Sequence, residues 1–109
     1  MSEHDNLVPP ATFEFLVHSL RTQAEIQLGL IHFGKEEERP QPQFPLARHA
    51  IDMLAMLAEK TKGNLTIEEQ RLVENSLTEL RFRFVQVFER AQKEKDQERE
   101  KEKEPSAST

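Results

Sequence analysis

The sequence predicts an all-α fold: a three-helix arrangement built on an αα-hairpin, with a long third helix and a charged C-terminal tail. Apolar residues recur at three- and four-residue spacing, and no segment alternates apolar and polar residues as a strand would. Two helix-boundary signals also lie close together. Gly63 suits the left-handed residue that follows a helix, and Thr66 with Glu69 forms a capping-box pattern. These signals place a tight turn between two helices.

The first helix is predicted over residues 12–33. Thr12 follows two prolines and is suited to the N-cap, because its hydroxyl can accept from a free backbone N–H of the first turn. Gly34 is predicted to end the helix, and residues 35–44 to form a polar loop. The predicted buried face consists of Phe13, Leu16, Val17, Leu20, Ala24, Leu28 and Ile31.

The second helix is predicted over residues 45–62. It begins at Pro45, because the backbone N–H that proline lacks would have no hydrogen-bond partner in the first turn of a helix. Apolar residues surround most of this helix, with Arg48, Asp52 and Glu59 forming the charged strip. Such a helix needs cover on more than one side. We therefore expect it to be the central helix, covered within the chain or between chains.

The third helix is predicted over residues 66–95, within a single helical domain at 12–95. Residues 1–11 and 96–109 are predicted to be a disordered N-terminus and a charged, disordered tail. A four- and three-residue spacing of apolar side chains along this helix is typical of a bundle or coiled-coil seam. The seam consists of Val73, Leu77, Leu80, Phe84, Val87 and Ala91.

Composition argues against several classes of function. The net charge of −5 over 109 residues is a poor match for nucleic acid, which attracts clustered lysine and arginine. The absence of cysteine excludes disulfides and thiolate catalysis, and it suits a reducing cytoplasm. The longest apolar stretch falls far short of the ~20 residues that span a bilayer. We expect a soluble cytoplasmic protein that binds neither membrane nor nucleic acid.

No catalytic, cofactor or metal site is predicted. Glu14 and His18 have the i, i+4 spacing that can place two metal ligands on one helix face, but no second pair accompanies them. Serine and threonine residues have no neighbouring base in the sequence, and the three glycines form no phosphate-binding loop. We therefore favour a small non-catalytic interaction or scaffold protein.

The alternative is a small-ligand-binding or enzyme subunit that uses Asp52, His49 and the Lys60–Lys62 turn. Asp52 is the best single acid–base candidate because it lies on the most apolar helix. Its structural interpretation, an ion pair with Arg48 or with arginines of the third helix (Arg81 or Arg83), is favoured. A cavity into which Asp52 and His49 converge would support the alternative.

The turn at Lys60–Lys62 has one feature of an anion site, since backbone N–H groups at the start of the third helix can bind a negative charge. Glu68 and Glu69 already lie at that positive helix end and would repel an anion. A tight turn, with the lysines near the C-terminal end of the second helix, is the favoured interpretation.

Self-association is predicted from the surplus of apolar residues near the end of the third helix, which no single helix face can bury. Exposed apolar patches of this kind mark interfaces. We expect a homo-oligomer, most simply a two-fold dimer, that also uses part of the first helix. The predicted interface is Leu77, Leu80, Phe84, Val87 and Phe88.

Several segments resemble a bacterial family catalogued as domain of unknown function 1844. They are residues 13–20, 27–29, 47–57, 59–66 and 77–81, of which the Lys-Thr-Lys-Gly-Asn-Leu-Thr junction is the most specific. The resemblance extends over roughly residues 13–88. It implies a short bacterial cytosolic helical protein, and it implies no activity and no catalytic residues.

Overall fold

The computed structural model describes residues 8–103, and all regular secondary structure in that range is helical. The prediction of an all-α, three-helix fold with a long third helix is confirmed. A short 3₁₀ helix, Glu36–Glu38, lies in the loop after the first helix. The three α-helices are α1 (Phe13–Gln27), α2 (Phe44–Lys60) and α3 (Ile67–Lys103).

The first helix begins as predicted and ends earlier. The backbone N–H of Phe15 donates to the Thr12 hydroxyl at 3.1 Å, so Thr12 is the N-cap. At the other end Gly29 has φ +78°, its N–H donates to the Ile26 carbonyl, and the N–H of Leu30 donates to the Glu25 carbonyl. This pair of bonds is a Schellman motif, which stops the helix before the predicted residue 33 although the apolar pattern continues.

We expect Gly29→Ala to destabilise the fold more than Gly63→Ala. Both glycines have positive φ, at +78° and +86°, which costs an L-residue roughly 1–2 kcal/mol. A Cβ at position 29 would also lie 3.1 Å from the Pro40 carbonyl oxygen, whereas a Cβ at position 63 would meet nothing within 4 Å. Urea unfolding of the two variants checks this order. Equal losses in the free energy of unfolding would mean that the loop at Pro40 shifts to accommodate the added methyl group at no measurable cost.

The hairpin turn has the predicted capping box. The Thr66 N–H donates to Glu69 Oε1 at 2.8 Å, and the Glu69 N–H donates to Thr66 Oγ1 at 3.1 Å. The third helix then runs to Lys103, past its predicted end at residue 95. Residues 96–103, which are the described part of the predicted tail, are therefore helical. Opposite charges three residues apart, such as Glu98 with Lys101, support such a helix. Residues 1–7 and 104–109 lie outside the described residues.

Two neighbouring apolar clusters hold the three helices together. The smaller cluster lies at the end of the bundle where α1 stops, and it joins Leu28, Ala47 and Val87. Phe84 packs against both clusters, so it connects them along α3. The larger cluster takes residues from every helix: Val17 and Ala24 of α1, Ala50, Ile51 and Leu54 of α2, and Val73, Leu77 and Leu80 of α3.

The described chain is flat and elongated. Its Cα extents are 73 × 36 × 17 Å and its radius of gyration is 19.4 Å, against about 13 Å for a compact domain of this length. Part of this length is α3, whose 37 residues extend ~55 Å at 1.5 Å per residue. The predicted central helix α2 packs against both neighbours, yet Leu46, Met53 and Met56 remain exposed on its other side. Each helix contacts both of the others, so the three pack around one shared core and leave apolar side chains on the outside.

Candidate functional site

An open groove of about 450 Å³ lies between α2 and α3. One turn of each helix supplies its walls, because residues three and four apart lie on the same helix face. Three of its lining side chains are apolar and three are charged. The lining residues are Arg48, Ile51 and Asp52 of α2 and Arg81, Phe84 and Val85 of α3.

Three phenylalanine rings extend this groove toward the start of α2. The ring of Phe44 lies edge-on to Phe84 at 5.5 Å and to Phe88 at 5.3 Å, and Phe84 stacks with Phe88 at 6.4 Å between centroids. Phe88 keeps 45% of its surface exposed despite these contacts. Phe44 begins α2 and is not part of the predicted loop at residues 35–44. Its position directly before Pro45 is the signal in the sequence for this helix start, and the three-ring cluster was not predicted.

The charged rim of the groove is unpaired within the described chain. The predicted ion pair of Asp52 with Arg48, Arg81 or Arg83 is not formed, since none of the ion pairs among residues 8–103 includes any of these four. All four side chains are exposed, and water solvates such charges nearly as well as a surface pair does. Asp52 therefore stands beside two arginines of the groove without bonding either.

The pairs that do form lie elsewhere on the surface. Arg21 joins α1 to α3 through Glu79 at 2.8 Å and also approaches Glu25 at 3.8 Å. Arg39 pairs with Glu36 at 2.8 Å inside the loop. None of these contacts converges on the groove between α2 and α3.

The parts of the alternative ligand or enzyme site do not come together. His49 lies on α2 but does not line the groove that contains Asp52. The turn contributes Lys62 to a different groove of about 420 Å³, formed with Glu59, Gly63 and α3 residues up to Arg81. Asp52 and His49 therefore do not converge in the groove between α2 and α3.

Metal and nucleophile candidates are likewise isolated in the described part of the chain. No group of three His, Cys, Asp or Glu side chains there is placed to share a metal ion, so Glu14 and His18 have no third ligand. The hydroxyl of Ser76 is fully buried and has no hydrogen-bond partner within residues 8–103. It lies in the helix-packing core, without a base or a cavity for a substrate.

A family model described as "Domain of unknown function (DUF1844)" matches residues 10–86, well over half of the chain. The chain belongs to the DUF1844 family. The match begins just before α1 and ends within α3, so it includes the hairpin and the groove-lining residues but not Phe88. Neither the curated proteins nor the solved structures include a match. Among residues 8–103 of this DUF1844 chain, no helix is both long and apolar enough to cross a membrane.

The five predicted interface residues of the DUF1844 chain have different surroundings. Leu77, Leu80 and Val87 are buried by their own chain's helices. Phe84 is half-buried, and Phe88 is exposed beside it. A second chain could therefore reach only Phe84 and Phe88 of the five without separating the helices. Their role in self-association stays a prediction.

Proposed function

We propose that this protein is a small non-catalytic interaction or scaffold protein that acts as a homo-oligomer, most simply a dimer, in the cytoplasm. The observation that supports the proposal best is the number of large apolar side chains left exposed around the shared core. Large apolar side chains remain exposed on every helix, among them Leu16 and Ile26 of α1, Met53 and Met56 of α2, and Phe82 of α3.

Accessible area supports the same proposal. The chain exposes 8738 Å², whereas a compact monomer of 12.7 kDa exposes about 6,200 Å². The projecting end of α3 accounts for part of this excess. A standard interface buries about 800 Å² on each partner, an area that the excess can readily supply.

Light scattering coupled to gel filtration tests the proposal on the full chain at micromolar concentration. We expect a mass of at least twice 12.7 kDa. A soluble species at the monomer mass throughout the concentration series would overturn the proposal. Retention on heparin at low salt would contradict the expectation from the sequence that the chain does not bind nucleic acid.

A further inference from the structure

We propose that the groove between α2 and α3 receives a second copy of this chain in a two-fold dimer, in which Asp52 of each copy pairs with Arg81 of the other. The proposal rests on the proposed function, because it names the surface through which the chain would self-associate. It commits to the groove lined by Ile51, Phe84 and Val85, together with the neighbouring Phe88.

The charges of the groove identify the occupant. Arg48 and Asp52 lie one turn apart on the α2 wall and Arg81 lies on the α3 wall, and none of them has an ion-pair partner among the described residues. An isologous interface brings the same patch of both copies together, so a residue i that contacts j is matched by j contacting i. A patch that contains both signs is then its own complement, and each Asp52 faces an arginine of the other copy.

The apolar part of the groove suits the same arrangement. Val85 and Phe88 are exposed and lie one turn apart on α3, and the three-ring cluster leaves the edge of Phe88 open. Aromatic residues and arginine are both enriched in the cores of protein interfaces. The groove is open to solvent, so a second chain can approach it directly.

Another apolar surface competes with the groove. Phe15, Ser19, Thr22 and Ile26 form an uncharged outward stripe on α1, and they line a separate shallow depression. Nothing on that stripe selects a second copy over any other apolar partner, because it has no charge to complement. It therefore serves as the comparison surface in the test.

Charge reversal tests the groove through a mixing experiment. Asp52→Arg alone and Arg81→Asp alone each place like charges opposite one another in a homodimer. We expect each variant to raise the dimer dissociation constant by about tenfold or more. Mixing the two variants in equal amounts restores opposite charges at both contacts, so the mixture should form heterodimers with nearly wild-type affinity. Arg71→Asp, on the exposed surface of α3 outside the groove lining, is the control and should dimerise normally.

The outcomes separate this inference from the proposed function. Sedimentation equilibrium of the wild type, both variants, the mixture and the control gives every dissociation constant required. The groove assignment would be overturned if neither charge reversal weakened the wild-type dimer, or if mixing the two variants did not restore dimerisation. Either result would still agree with the proposal that the chain self-associates. Loss of that dimer in Ile26→Glu would then place the interface on α1. A monomeric wild type would overturn both.

Discussion

Leu54→Ala should unfold a large fraction of the protein at room temperature. Leu54 is 0% exposed and belongs to the cluster that joins all three helices. Truncating a buried leucine removes its transfer free energy and leaves a cavity, for a loss of about 2–5 kcal/mol. A three-helix domain of this size has little stability in reserve, because small domains bury a modest share of their surface. Urea unfolding followed by circular dichroism measures the loss.

Leu46→Ala is the matched control for this change. Leu46 lies on the same helix and loses the same atoms, but 53% of its surface is already exposed. We expect a loss of no more than about 0.5 kcal/mol, as for most surface substitutions. Equal losses in the two variants would mean that α2 does not pack as the structure has it.

Local signals in the sequence were sufficient to predict the hairpin and the inward face of α3. The capping box depends only on residues within one turn, and Thr66 and Glu69 form both of its hydrogen bonds. The seam spacing depends only on helix geometry, and Val73, Leu80 and Val87 are buried as a result. Both features follow from contacts within a few residues or along one helix face.

Features that depend on distant parts of the chain could not be predicted in the same way. Apolar residues continue through Ile31, so their periodicity alone extended α1 past its true end, where Gly29 reverses the backbone beside Pro40. The groove combines Arg48 and Arg81 from two helices, and their distance depends on how α2 packs against α3. Periodicity also cannot tell which apolar residues their own chain covers, which is why the predicted interface included Leu77 and Leu80.

Phe84→Glu and Phe88→Glu should separate folding from assembly. Phe84 is half-buried and packs against both core clusters, so a glutamate there loses those apolar contacts and places a carboxylate against the core. We expect Phe84→Glu to lose several kcal/mol of stability and much of its helical circular dichroism. Phe88 is 45% exposed, so a carboxylate at that position stays hydrated in the monomer. Phe88→Glu should therefore keep its helices and lose the dimer.

The control for both variants is Gln86→Glu, which adds the same charge to the same helix at an exposed position between them. Thermal unfolding and light scattering on one set of samples distinguish the two effects, because the first follows the helices and the second follows the mass. If Phe88→Glu remained a dimer with wild-type affinity, the aromatic end of the groove would have no part in assembly. If it unfolded as Phe84→Glu does, Phe88 would be a core residue, and its exposed edge would offer no surface to a second chain.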